Sequence, residues 1–186
     1  MKEMKYMEAL QKLEITILKC DKKLKSDSSS NKKISILKSE DLKGIPIQWR
    51  LLRAEILIMI NDYNEAMNIA EIILKSQGNS KNSEATTLKT KLLYITGKSK
   101  LENTIYYLEK ALNYYNNNEY AKMLIEKIPE LDSKRKYIND NFFKKELYEE
   151  TIQKYDELIN EYKEIRLTGI ILVILFRNKS TCLMKV

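Results

Sequence analysis

No histidine occurs among the 186 residues, and glycine (4), proline (2) and cysteine (2) are all scarce. The missing imidazole removes His-based general acid/base chemistry, the Ser-His-Asp and Cys-His nucleophile systems, and every His-containing metal site. An enzyme is therefore the least supported class, and no cofactor is expected. So few Gly and Pro also argue against an all-β chain, which needs turn residues at short intervals. Helices run long without them, so the composition predicts an all-α protein. Two cysteines far apart, Cys20 and Cys182, form no CxxC motif and have no third ligand nearby in sequence. A reducing compartment follows from so low a count.

Long apolar runs are missing as well. The longest, Ile170 to Phe176 led in by Leu167, Thr168 and Gly169, is about half of what a membrane helix needs, and reads as a buried helix. The N-terminus, Met1 to Glu8, is charged throughout and lacks the apolar core of a signal peptide. These readings predict a cytoplasmic or nuclear protein without membrane contact.

What is abundant is charge. Lys plus Arg is 33 and Asp plus Glu is 26, a net +7. Residues 1–46 carry 11 Lys against 7 acids, and the other 140 carry 22 against 19, so +4 of the excess lies at the N-terminal end. Lys134, Arg135 and Lys136 form the nearest approach to a basic cluster elsewhere. A solvated lysine-rich surface is the expected meaning, rather than a nucleic-acid face.

Apolar periodicity organises the rest. Met4, Met7, Leu10, Leu13, Ile17 and Leu18 recur at three- and four-residue spacings, an amphipathic helix. A polar linker is predicted from Lys22 to Lys33, and Gly44 and Pro46 punctuate the entry to the next helix. Trp49 to Ile60, a turn at Asn61 to Asn64, and Glu65 to Leu74 read as a helical hairpin with Ala54, Ala66 and Ala70 at the crossing. The unit recurs. Leu88 to Thr96, a turn at Gly97 to Lys100, and Leu101 to Leu112 place Leu101, Thr104, Leu108 and Ala111 each 38 residues after Tyr63, Ala66, Ala70 and Ile73. A third copy, from Asn139 to Ile159, places Tyr148 and Thr151 a further 47 residues on. A helical stretch from Tyr120 to Lys127, ending before Pro129, absorbs the extra length. Repeated hairpins that cannot each bury an apolar face must stack, which predicts an α-solenoid.

These repeats resemble the tetratricopeptide family. Phe143-Lys144-Lys145-Glu146-Leu147-Tyr148-Glu149-Glu150-Thr151-Ile152 is close to that family's Phe-Lys-x-x-x-Tyr-x-x-Ala-Ile run, with Thr for Ala. A narrower similarity is to tetratricopeptide co-chaperones that carry a C-terminal J domain, through Trp49 to Leu57 and Tyr63-Asn64-Glu65-Ala66. Without histidine the chain has no His-Pro-Asp motif and cannot stimulate a chaperone ATPase by that route. The resemblance divides the chain into an incomplete preceding repeat with linker (1–46), repeat 1 (47–80), a degenerate repeat 2 with a linking helix (81–128), repeat 3 (129–166) and the first helix of an incomplete further repeat (167–186). The end reads as truncated, with the partner of that last helix lacking.

The resemblance implies a non-enzymatic protein-interaction scaffold in protein folding. Its partners would be chaperones of the heat-shock seventy or heat-shock ninety class, or a client. In such modules Lys and Asn from successive first helices hold the carboxylates of a peptide C-terminus. Lys136 matches the leading Lys and Asn178 the second Asn. Asp140 stands where the pattern has Asn and would repel a carboxylate unless paired. The remaining Lys and Arg of the pattern lie past Val186. The alternatives are a scaffold subunit of an unrelated assembly, or an RNA-associated helical-repeat protein whose binding would weaken steeply with salt. Tyr106, Tyr107, Tyr114 and Tyr115 read as core and groove-wall residues. Glu149-Glu150 and Asp156-Glu157 diverge around a helix and make no catalytic pair.

Overall fold

The computed structural model describes residues 2–20 and 45–186; the predicted linker from Lys22 to Lys33, Gly44 and the side chain of Cys20 lie outside the described residues. The chain is all-α, with no strand among those residues, and neighbouring helices pack in the repeat-like series of an α-solenoid. Two compact units divide it, Met1–Lys89 and Thr90–Val186. In the first, α1 (Lys2–Cys20) packs on α2 (Ile47–Met59), and α2 on α3 (Tyr63–Lys75). Helix α4 (Ser83–Ile95) runs from the first unit into the second. In the second unit α5 (Leu101–Tyr114), α6 (Glu119–Ile138), α7 (Tyr148–Glu164) and α8 (Ile170–Leu183) each pack on the next.

The sequence register reappears as burial. Helices α3, α5 and α7 open on Tyr63, Leu101 and Tyr148, the three residues predicted to share the turn position. Three residues into each helix, Ala66, Thr104 and Thr151 are fully buried. Seven residues in, so are Ala70, Leu108 and Tyr155. Small side chains at the first of these positions let two helix backbones approach. The threonine hydroxyls bond back to carbonyls one turn earlier, Thr104 to Lys100 at 2.9 Å and Thr151 to Leu147 at 2.5 Å, so neither of these two hydroxyls is stranded.

The turns share one cap. At the end of α2, the Asp62 amide donates to the Leu57 carbonyl and the Asn61 amide to Ile58. The same paired bonds close α4 (Lys98 to Leu93, Gly97 to Tyr94), the segment before α7 (Leu147 to Phe142, Glu146 to Phe143) and α7 itself (Leu167 to Tyr162, Arg166 to Lys163). This is the Schellman pattern, which requires a left-handed residue. Asn61, Gly97, Glu146 and Arg166 supply it, with φ of 65°, 71°, 62° and 57°.

Three expectations change. Helix α6 does not stop before Pro129; it runs through it, because Leu124, Ile128 and Leu131 form one buried stripe on both sides of the proline. Packing of that stripe against α5 and α7 outweighs the lost backbone bond. Of the tyrosines expected in core or groove wall, Tyr106, Tyr107 and Tyr115 are exposed rather than core, since α5 turns its Thr104, Leu108 and Ala111 face inward, while Tyr106 and Tyr114 line an open surface groove. Helix α8 is buried on one side only: Leu172, Leu175 and Cys182 are covered while Ile170, Val173 and Phe176 face solvent. No helix among the described residues is long and apolar enough to cross a membrane.

Candidate peptide-binding face

Lys136 lies in the last turn of α6, with its side chain 67% exposed and its Nζ 3.0 Å from Asp132 Oδ2. Arg135 pairs with the other oxygen of the same carboxylate. Burial pushes the Asp132 carboxyl up, but hydrogen bonds from Arg135 and Lys136, with their charges, outweigh that and hold it below the usual carboxylate range. Asp132 is thus an ionised anchor that fixes the direction of Lys136 while leaving the ammonium open to water and to a ligand.

Beyond Ile138 the helix loosens into a π-helical segment, Asn139–Phe143. The extra residue per turn changes which side chains face α7 and α8, and such segments recur at functional sites. It brings Asn139, not Asp140, to the neighbouring helices. The Tyr155 hydroxyl, from α7, donates to Asn139 Oδ1 at 2.6 Å and accepts from Asn178 Nδ2, on α8, at 3.3 Å. Burial pushes the Tyr155 phenol above its ordinary pKa, so it stays protonated as the donor this relay needs. Alongside, Lys179 bonds both Asp156 oxygens at 2.6 Å, a second tie between α7 and α8.

Asp140 points its charge elsewhere. It accepts from Lys144 at 2.6 Å, one turn on. The pairing cancels most of the repulsion that an isolated carboxylate would exert on an anionic ligand. Of the three residues picked out from sequence, Lys136 is exposed but paired with Asp132, Asn178 is held in the tyrosine relay, and Asp140 is paired with Lys144. Asn139 and Tyr155 are additions. Tyr155 carries a sequence signal, since it occupies the register of Ala70 and Leu108, where a hydroxyl has to find a partner. Asn139 carries none, because only the π-helical turn sets its direction.

Chemically the face offers an ammonium donor on α6 and an amide donor on α8, with the buried Tyr155 phenol of α7 between them, which suits an oxyanion such as a carboxylate. The groove between α6 and α7, floored by Tyr137, Ile138 and Leu158, suits one less. Its cations are taken: Lys134 bonds Glu161 at 2.6 Å and Glu130 at 2.8 Å, and Lys154 bonds Glu157 at 2.9 Å. Among the described residues no group of three or more Cys, Asp or Glu is placed to hold a metal ion.

Comparison with known proteins gives a distant relationship. No protein-family model matches the chain, and no solved structure matches it. Over 140 residues, 75% of the chain, it is 28% identical to a protein of Schizosaccharomyces pombe described as a DnaJ homolog subfamily C member 7 homolog. The chain spans only 28% of that relative's length. The chain is thus an all-α series of stacked helices with a distant similarity to a DnaJ-type protein.

Proposed function

We propose that the chain is a non-enzymatic protein-interaction module of the co-chaperone type, which captures the C-terminal carboxylates of a chaperone peptide. The heat-shock seventy and heat-shock ninety classes are the partners this reading names. The observation that carries it is the donor set on α6 and α8: Lys136 exposed on an ionised anchor, and Asn178 tied through Tyr155 to Asn139, three residues beyond Lys136. The similarity to a DnaJ-type protein supports the same reading. Lys136 supplies the charge, Asn178 a directional amide, and Lys144 offsets Asp140.

An acidic chaperone C-terminal peptide, titrated by fluorescence anisotropy with a free and with an amidated terminus, tests this. The free terminus is expected to bind and the amidated one to bind weakly. Lys136→Ala is expected to lose affinity, and Asp140→Asn to gain it. Absence of binding, or no loss in Lys136→Ala, rejects the carboxylate-capture role.

A further inference from the structure

Two arginines, Arg50 and Arg53, sit three residues apart on the buried face of α2, among Ala54, Leu57 and Ile58. Their surroundings differ. Arg53 is fully buried and paired twice, Nε to Glu14 of α1 at 3.0 Å and Nη1 to Glu65 of α3 at 3.2 Å. Arg50 is 4% exposed, and among the described residues neither its Nε nor its Nη2 meets a hydrogen-bond acceptor. Glu14 and Glu65 are both engaged by its neighbour. Burial lowers the Arg50 pKa from its ordinary value. A guanidinium nonetheless keeps its proton where a lysine would shed it, so the charge persists and calls for a counter-charge.

The identity of the two orphaned atoms is informative. Nε–H and Nη2–H lie on one edge of the planar guanidinium and point in the same direction. That edge is the fork that meets both oxygens of one carboxylate in a bidentate pair. We propose that the Nε/Nη2 edge of Arg50 is a carboxylate-binding site, taking an Asp, Glu or terminal carboxylate from an acidic segment of a protein partner. It is distinct from the face that holds Lys136 and Asn178. Because the edge is closed to water, the carboxylate enters as the side chains over it move aside, and the pair then forms with little competition from solvent.

The single tryptophan, Trp49, is the adjacent residue and half-buried, which makes it a local probe. The full chain is titrated with a glutamate-rich peptide, with its glutamine-substituted counterpart and with inorganic phosphate. Ionic strength is held constant with chloride, and Trp49 emission and thermal midpoint are recorded. The expected result is a saturable emission change and a raised midpoint with the glutamate peptide alone. Arg50→Met is expected to abolish both responses. Without ligand, its own midpoint should be equal to or above that of the parent, since it removes an uncompensated buried charge. Arg50→Lys, which keeps an amine donor but neither the fork nor a secure charge, is expected to respond several-fold more weakly, and keeps the test valid if the methionine variant fails to fold. Lys136→Ala is expected to leave the response intact. Equal responses from the parent and Arg50→Met, no saturable response from the parent, or a better response to phosphate than to the glutamate peptide would each overturn the assignment. So would loss of the response in Lys136→Ala, which would return the signal to the other face.

Discussion

Arg53 is the residue on which three helices of the first unit meet. Its guanidinium is fully buried, Glu14 beneath it is 1% exposed, and the Glu65 side chain retains 20% exposure. Those exposures set what each partner would suffer if the arginine were lost. Glu65 would rehydrate, whereas Glu14 would be left charged in an apolar seam. Arg53→Ala is therefore expected to cost about 3–5 kcal/mol in urea unfolding. The double change Glu14→Leu with Arg53→Met, which removes both charges and keeps the volume, is expected to recover most of it. Recovery by the double variant would show that the pair orients α1 against α2 more than it stabilises them. Persistence of the full loss would show that the ion pair is itself stabilising.

At the level of elements, the turns decide how helices follow one another. Four helical segments end in the same left-handed cap, but only one uses glycine. Glu146 and Arg166 hold φ of 62° and 57° with exposed side chains, a conformation that costs an L-residue about 1–2 kcal/mol. Arg166→Gly is expected to stabilise the chain by about 0.5–1 kcal/mol after the extra freedom of glycine in the unfolded state is deducted. Gly169, three residues on, behaves oppositely. Its φ is 101°, and a Cβ there would lie 2.4 Å from the Ile95 carbonyl oxygen, so α8 starts flush against the end of α4. Gly169→Ala is expected to lower the thermal midpoint strongly. Gly78→Ala, at φ 80° in open space, should cost only the conformational term. The difference between the two losses reports the close approach together with the harsher backbone conformation at Gly169 (φ 101°, ψ −151°).

Across the whole molecule the excess of positive charge is interleaved with acids, and several carboxylates are held ionised. Hydrogen bonds from Lys89 and Lys75 hold Glu71 below its ordinary range. Those from Lys127 and Lys134 hold Glu130 down from 4.5 to about 2. Asp132 lies below its ordinary value for the reasons given above. Each binds fewer protons folded than unfolded, so its contribution is present above the unfolded pKa and is lost as pH falls through the folded one. The thermal midpoint is expected to hold at pH 6 and to decline as pH drops from 4.5 toward 2. Glu130→Gln should begin slightly lower at pH 6, decline less across that window, and meet the parent near pH 2. Because Glu71 and Glu130 are partly exposed, their steps should be small and should shrink in high salt, whereas Asp132 is buried and should be less sensitive to salt.

The sequence by itself determined the fold class, the helical hairpins and their register. These depend on local periodicity and on small or turn-forming residues at fixed offsets, and the burial of Ala66, Thr104 and Thr151 follows the 38- and 47-residue spacings. It also presented Lys136 and Asn178 as a matched pair of donors. Tertiary structure decided what depends on contacts between helices. Pro129 lies inside α6 because a buried stripe continues past it, although its backbone preference argues for a stop. Asn139 rather than Asp140 reaches the Tyr155 hydroxyl, and through it Asn178, because a π-helical turn shifts the register, which no spacing rule anticipates. Arg50 and Arg53 read alike as arginines on one helix. The packing of α1 and α3 brings Glu14 and Glu65 to Arg53, whereas among the described residues the Nε/Nη2 edge of Arg50 meets no acceptor.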